Sequence, residues 1–275
     1  MARHPCNSCY LIICLLSAAV AAGCVAPVDT TPVFLDTDGV RPSTDYADLA
    51  TLLQDAMDEE GRVDADELRR HEACLDRQLR RLAITGPRST PDLLARQADL
   101  LAYWCNARAA WALKLALLAD CPDELPPEAL ERRPFPLDGR RMTLEQIDAE
   151  LARHGWRVVA AAPGIRYTRA RIPRAPFAPE DVYERLAARL QEFLGASERF
   201  VIDEEARTLR VPRMIWEFRE KLIADYERKH RTVDAMFVTA LLSYTTGSAH
   251  RRLQDAIGYA AAPAAPGKLA WQTWP

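Results

Sequence analysis

The stretch between Thr90 and Pro122 constrains the fold most strongly, because it predicts one long apolar helix. Thr90 as N-cap and Pro91 at the first helical position provide a start, where the missing proline N–H costs no hydrogen bond. The helix runs to about Ala119, and Pro122 ends it. Its larger apolar residues recur at spacings of three and four, at Trp104, Ala107, Trp111, Leu115 and Leu118. A helix of this kind needs neighbours on its apolar side, so we predict that it is the central core helix.

Most of the remaining chain also has helical periodicity. A first helix, from about Tyr46, carries Leu49, Leu52, Leu53 and Met57 on one face and stops at Gly61. Capping boxes begin two others, one at Asp64 with Glu67, leading to Leu82, and one at Thr143 with Gln146, ending at Gly155. Further helices are predicted at 179–194, 213–229, 233–244 and 249–257, the last two with Thr232 and Ser248 as caps.

A few short segments have strand character. We predict strands at 156–162 and 165–172, joined at Pro163-Gly164, and a hairpin that pairs 199–202 with 208–211. The segment from Cys121 to Leu137 contains five prolines and is predicted to cross the surface irregularly. The expected class is therefore α+β, a mainly helical single domain over 46–275 with a few short antiparallel strands.

The N-terminus has the features of an export signal. Arg3 and the terminal amine precede an apolar run, 11–22, which is shorter than the ~20 residues that a membrane-spanning helix needs. The run ends in Val20-Ala21-Ala22-Gly23-Cys24, which resembles a bacterial lipobox, although Ala21 stands where Leu is usual. We therefore expect residues 1–23 to be removed and Cys24 to carry lipid. The alternative is an ordinary signal peptide that releases a soluble periplasmic domain.

The expected location is the outer membrane, facing the periplasm, because Val25 after the cysteine is not the Asp associated with inner-membrane retention. Residues 25–45 are rich in Pro, Thr and Asp without apolar periodicity, so we predict a flexible tether. The expected partners are the membrane, through the lipid anchor, and an envelope protein or ligand. A formal net charge of −3 gives no reason to expect nucleic-acid binding.

Motifs for common chemistries are missing from the sequence. It has no G-x-S-x-G elbow, no phosphate-binding G-x-x-x-x-G-K loop and no H-E-x-x-H pair. His71 and Cys74 lie at a helical spacing, but no further residue nearby completes a zinc set. We therefore expect neither a cofactor nor a metal.

Cys105 beside Asn106 is the one constellation with catalytic potential. Once the leader is removed and Cys24 is lipidated, the cysteines that remain are Cys74, Cys105 and Cys121, an odd number, so at least one thiol is unpaired. Cys105 could act as a nucleophile with His154 or His230 as base. It could equally be a small buried side chain, or form a disulfide with Cys121. Its position in mid-helix provides no free amides to lower its pKa.

Five pieces of the mature chain, in order, carry a family resemblance. They are 60–64 (EGRVD), 101–107 (LAYWCNA), 139–147 (GRRMTLEQI), 209–218 and 269–274. On these pieces the chain resembles the domain of unknown function 547 (DUF547) family. Since that family is biochemically obscure, the resemblance implies an architecture more than an activity.

The chain departs from the family pattern at the reactive positions. Tyr167 stands where the family has a His, the family's Cys loop is absent, and its second helical Asn falls on Ala109, so that Asn106 alone remains. If the family acts through those groups, the resemblance implies that this chain has lost the activity. The sequence therefore favours a non-catalytic binding or structural domain in the envelope. The alternative is a thiol-dependent hydrolase or acyltransferase that uses Cys105 with a histidine.

Overall fold

The computed structural model describes residues 29–271 of the 275-residue chain. The predicted leader, 1–23, and the lipidation site Cys24 lie outside the described residues. Within 29–271, no helix has both the length and the apolar character needed to cross a membrane.

Residues 29–271 form a mainly helical α+β domain, which confirms the expected class. The helices are α1 (Ala47–Ala56), α2 (Ala65–Arg70), α3 (Glu72–Ile84), α4 (Gln97–Leu118), α5 (Pro127–Leu130), α6 (Leu144–Ala152), α7 (Trp156–Ala161), α8 (Val182–Gly195), α9 (Arg213–Glu217), α10 (Arg219–His230), α11 (Phe237–Leu242) and α12 (Gly247–Asp255). The strands are β1 (Phe135–Leu137), β2 (Arg140–Met142), β3 (Val201–Asp203), β4 (Thr208–Val211) and β5 (Ala260–Pro263). The strands β1 and β2 form one hairpin, and β3, β4 and β5 form a three-stranded sheet.

Helix α4 is the core helix, as predicted, but it is buried on every side rather than along one stripe. Its residues from Leu101 to Ala116 are all buried. Trp111 stacks on Phe135 of β1 with ring centroids 4.2 Å apart. Because α4 is enclosed, its polar side chains Asn106, Arg108 and Lys114 are buried as well. Each of them needs partners from other elements, and these partners position the candidate site.

Helix α4 begins later than predicted. Thr90 and Pro91 begin a short 3-10 turn, Pro91–Leu94, and α4 itself begins at Gln97. The carboxylate of Asp99 accepts the backbone N–H of Arg96 at 2.9 Å, so a local cap fixes the later start. At the other end, Asp120 and Cys121 have positive φ values of 61° and 51°, which turn the chain before Pro122.

Several locally encoded elements are confirmed. Thr143 and Gln146 form the predicted capping box of α6. Asp64 caps α2 by accepting the backbone N–H groups of Asp66 and Glu67, although Glu67 itself pairs with Arg70 rather than closing a box. The predicted hairpin is present, with Ile202 of β3 opposite Leu209 of β4 in antiparallel register. The third strand of that sheet, β5, was not predicted and pairs in parallel with β4.

Both strands predicted at 156–172 are wrong. Residues 156–161 form α7, which begins after Gly155, where φ is 108°. The β-branched pair Val158 and Val159 favoured a strand, but the run of alanines that follows favours a helix. The segment 163–172 has no regular secondary structure apart from isolated bridges, one of which pairs Arg166 with Leu269. Side chains and distant backbone, rather than a sheet, satisfy much of its backbone hydrogen bonding.

Four other boundaries also need correction. The helix predicted at 213–229 divides at Phe218 into α9 and α10. The helix predicted from Asp64 to Leu82 breaks at His71, which separates α2 from α3. The helix predicted at 233–244 is the shorter α11, and Met236 rather than Thr232 is its N-terminal neighbour. Thr246, not Ser248, occupies the N-cap position of α12. The prolines of the 121–137 crossing do not prevent α5 and β1 from forming there.

The described part of the predicted tether, 29–45, lacks helices and strands but lies against the domain. Arg133 binds the carboxylate of Asp29 at 2.8 Å and the carbonyl oxygen of Thr31 at 2.9 Å. The backbone N–H of Val33 donates to the carbonyl oxygen of Pro134 at 2.9 Å. Val33 and Leu35 also pack on the core. Residues 29–45 are therefore fastened to the domain surface near β1.

Candidate functional site

A cleft with a volume of about 400 Å³ opens between α5, α6, α9 and the irregular segment 163–172. Helix α6 contributes residues spaced at i, i+3, i+4 and i+7, which share one face: Glu145, Asp148, Ala149 and Ala152. The opposite face of α6 carries Leu144, Ile147 and Leu151, all buried in the core. The amphipathic pattern of α6 thus directs a mixed polar and small-residue face into the cleft.

Five charged side chains form what we call the charged floor of the cleft: Glu131, Asp148, Arg166 and Arg169 line it, and Arg108 lies behind them in contact with both carboxylates. Arg108, on α4, is only 1% exposed. Its Nε donates to Asp148 Oδ1 at 2.6 Å, and its Nη2 donates to Asp148 Oδ2 at 3.2 Å and to Glu131 Oε2 at 3.4 Å. Its Nη1 donates to the carbonyl oxygen of Pro163. Each guanidinium nitrogen of the arginine in the core therefore has a hydrogen-bond acceptor, and its bidentate partner comes from α6.

The other two arginines of the floor come from the irregular segment. Arg166 lies with Nε 3.6 Å from Glu131 Oε1 and donates its Nη groups to the carbonyl oxygens of Leu125 and Gly267. Arg169 Nη2 donates to Asp148 Oδ2 at 2.5 Å. Because both arginines contact the carboxylates that also bind Arg108, the floor fixes the segment 163–172 to α4 and α6.

The balance of charges keeps Asp148 ionised. Burial alone raises the pKa of a carboxyl group, but the positive charges of Arg108 and Arg169 and their hydrogen bonds outweigh it and hold the pKa of Asp148 below 3.8. The pKa of Arg108 is raised despite its burial, because Asp148 and Glu131 lie beside it. The ion pair of Arg108 and Asp148 at the centre of the floor is thus ionised at neutral pH.

The walls of the cleft are apolar, and its rim is charged. Val159 on α7, Met214 on α9 and Phe218 after α9 line the walls. At the rim, Arg132 pairs with Glu145 at 2.9 Å, and Arg213 pairs with Glu217 at 2.9 Å. Small-molecule sites combine apolar walls with a small number of placed polar groups. This cleft has both features, and its charged residues outnumber its apolar ones.

Cys105 lies in the core and not in the cleft. Its side chain is completely buried, and burial raises the pKa of its thiol to about 12. The charged groups that act on it are three arginines and Asp148, and none is a histidine. Of the three readings left open by the sequence, the structure has Cys105 as a small buried side chain.

The disulfide between Cys105 and Cys121 does not form. Cys74, Cys105 and Cys121 are all free thiols. Cys105 lies near the middle of α4, and Cys121 lies beyond its C-terminal end, a separation on the order of 20 Å at ~1.5 Å per helical residue. A disulfide requires Cα atoms within about 7 Å.

Asn106 has a structural role. Its Nδ2 donates to the carbonyl oxygen of Phe177 at 2.9 Å, and its Oδ1 accepts the backbone N–H of Phe177 at 2.8 Å. These two bonds satisfy the backbone N–H and C=O groups of Phe177, which is buried and lies outside any sheet. Asn106 therefore supplies the hydrogen bonds that a neighbouring strand would provide in a sheet.

Neither candidate histidine is among the groups that act on the Cys105 thiol, and each has other neighbours. His154 Nδ1 lies 3.0 Å from the side-chain amide of Gln97 and lines a different groove, which includes Trp104 and Arg140. Burial and the charge of Arg153 lower its pKa. His230 ends α10, where its ring packs on Tyr226. Tyr167 is exposed at the surface.

The sequence analysis missed the residues of the charged floor. One local signal was available, because Arg108 stands between Ala107 and Ala109 in the most apolar helix. A charged residue at such a position is almost never buried without a partner, so it implies an ion pair in the core. Nothing local identifies Asp148 and Glu131 as the partners. Among residues 29–271, no three His, Cys, Asp or Glu side chains form a group that could hold a metal ion.

Comparison with known proteins gives no relative, since no protein-family model, no curated protein and no solved structure matches this chain.

Replacement of Asp148 tests the charged floor. Asp148→Asn leaves three buried arginines with Glu131 alone, and we expect a loss of about 3–5 kcal/mol in the free energy of unfolding at pH 7. Because the folded pKa of Asp148 is lowered, its stabilisation is present above the unfolded value of 3.8 and is lost as the pH falls through the folded pKa. Urea unfolding at pH 7 and at a series of values below 4 measures both effects.

Glu145→Gln is the matched control, since Glu145 is on the same helix and pairs with Arg132 at the exposed rim. It should cost far less stability than Asp148→Asn. Equal losses in the two variants would show that the floor does not depend on Asp148.

Native alkylation tests the thiol. We expect Cys105 to remain unmodified by iodoacetamide between pH 7 and 9 until urea unfolds the protein, because its thiol is enclosed and protonated. Cys74, which is partly exposed, serves as the internal control and should be labelled in the native state. Peptide mapping reports each cysteine separately. Rapid native labelling of Cys105 with an apparent pKa below about 8.5 would contradict the structural assignment and restore the thiol-enzyme hypothesis.

Proposed function

We propose that this protein is an exported envelope lipoprotein, anchored through Cys24, whose domain binds a small ligand in the cleft and does not catalyse a reaction. The observation that carries the proposal is the cleft itself, a cavity of about 400 Å³ with charged side chains at its floor and apolar residues in its walls. Its volume falls within the range of about 300–1,000 Å³ that is typical of small-molecule sites.

The construction of the cleft supports ligand binding over a purely structural role. Its residues come from five separate parts of the chain, and the charged network holds several of them in place without filling the cavity. A site whose charged groups are already oriented loses little energy to reorganisation when a ligand arrives. An ordinary core ion pair would need no open space above it.

The surroundings of Cys105 argue against catalysis through that thiol. A thiol nucleophile requires a thiolate and a nearby base, whereas Cys105 is buried, has a pKa raised to about 12 and has no histidine among its charged neighbours. The alternative, a thiol-dependent hydrolase or acyltransferase, rests on the adjacent Cys105-Asn106 pair in the sequence alone. Asn106 is already engaged with Phe177.

The anchor, the outer-membrane location and the relation to the DUF547 family are proposals from the sequence. The lipobox-like residues 20–24 support the anchor, and the five ordered pieces between 60 and 274 support the family relation. If that relation holds, the absence of the family's His and Cys loop agrees with a binding domain that lacks the family's reactive groups.

A ligand panel tests the cleft. The purified chain is mixed with small neutral, anionic, cationic and zwitterionic apolar compounds, and binding is read by ligand-observed NMR. We expect at least one compound to bind, and Ala149→Trp to abolish that binding, because Ala149 is an exposed residue that lines the cleft and an indole there occupies the cavity.

Ala224→Trp is the control, since Ala224 is an exposed helical alanine that does not line the cleft. It should leave binding unchanged. The proposal fails if no compound of the panel binds, or if binding persists unchanged in Ala149→Trp.

Lipid labelling tests the anchor. Expression of the full chain in a bacterial host with an alkyne fatty acid should give a labelled protein in the membrane fraction. Cys24→Ser should lose the label, since the thiol that receives the lipid is gone. Cys14→Ser, within the predicted leader, is the matched control and should stay labelled. An unlabelled, soluble wild-type protein would favour the ordinary signal peptide instead.

A further inference from the structure

The charges of the cleft are separated by depth. The floor has three arginines and two carboxylates, which leaves one positive charge in excess. The rim has two arginines and three carboxylates, which leaves one negative charge in excess: Arg132, Arg213, Glu128, Glu145 and Glu217. The cleft as a whole is neutral, but it is positive inside and negative at the mouth.

The two excess charges do not have equal strength. The side chains of the floor are between 1% and 15% exposed. The rim carboxylates are between 52% and 55% exposed, so water and salt screen them. Because the floor is shielded from solvent, its positive charge acts on a ligand more strongly than the rim does.

Arg169 has the hydrogen-bonding capacity that a ligand can use. The guanidinium nitrogens of Arg108 and Arg166 already face carboxylates or backbone carbonyls. Arg169 donates its Nη2 to Asp148, but its Nη1 contacts only the sulfur of Met214, at 3.6 Å. A thioether sulfur is a weak acceptor, so a carboxylate that enters the cleft would replace it readily.

We propose that the ligand of the cleft is a small apolar zwitterion of the dipeptide type. Its C-terminal carboxylate binds Arg169 at the floor, and its apolar side chains pack on Val159, Met214 and Phe218. Its free amino group points to the carboxylates of the rim. This inference rests on the proposed ligand-binding function and names the ligand class of that same site. The volume of about 400 Å³ lies in the lower part of the range of small-molecule sites.

Three forms of one dipeptide separate the contributions of its two ends. Leu-Leu, its C-terminal amide and its N-acetyl derivative are titrated into the purified chain by calorimetry. The amide should bind about 10- to 100-fold more weakly than Leu-Leu, because it cannot form the charge-assisted hydrogen bond to Arg169. The N-acetyl derivative should bind less than about five-fold more weakly, because the rim is solvent-screened.

Arg169→Gln tests the assigned contact. This variant should bind Leu-Leu and its amide with similar affinity, since it lacks the positive charge and its shorter side chain retains only a neutral amide donor. Arg174→Gln is the control, because Arg174 is an exposed arginine outside the cleft, and it should keep the wild-type preference. Urea unfolding of both variants confirms that each is folded.

The outcomes separate this inference from the proposed function. If other compounds bind in a manner sensitive to Ala149→Trp while Leu-Leu does not, the cleft is a ligand site and the dipeptide assignment is wrong. Equal affinities of Leu-Leu and its amide for the wild type overturn the carboxylate contact, as does a preference that survives Arg169→Gln. If no compound binds at all, both proposals fall.

Discussion

The burial of Arg108 is the constraint on which much of the structure depends. A guanidinium that is 1% exposed in the middle of the longest helix is tolerated only where carboxylates and carbonyls surround it. Asp148 on α6 must therefore face Arg108 on α4, and Glu131, directly after α5, must reach the same guanidinium. The carbonyl oxygen of Pro163 turns toward the same group. The cleft is the space left open between α5, α6 and the segment 163–172 after they enclose the charge of Arg108.

Asn106 acts in a similar way two residues earlier on α4. Arg108 orients the start of the irregular segment 163–172, and Asn106 holds Phe177 a little further along the chain. Both segments lack the ladder of hydrogen bonds that a sheet provides, so side chains of the core helix supply the order instead. One helix therefore provides apolar packing and also fixes the path of the loops around it.

The sequence predicts those elements whose determinants lie close together in the chain. The apolar spacing of α4, the Thr143–Gln146 capping box and the hairpin of β3 and β4 are local patterns, and each is confirmed. The strands expected at 156–172 are wrong because β-branched residues there pack in a helix and a loop whose order comes from distant groups. The candidate site depends on contacts between residues 40 and 23 positions apart, which no local pattern contains. None of the residues selected for chemistry, Cys105, Asn106 and His154, lines the cleft.

The attachment of residues 29–45 near β1 bears on how the proposed lipoprotein sits at its membrane. Arg133 holds Asp29, so the path from the proposed anchor at Cys24 to this contact on the domain is only a few residues long. At ~3.5 Å per extended residue, this path reaches no further than about 18 Å. A linker this short would keep the surface of the domain around Arg133 close to the lipid headgroups. Its freedom would be mainly rotational, and it could not sample the periplasm at large.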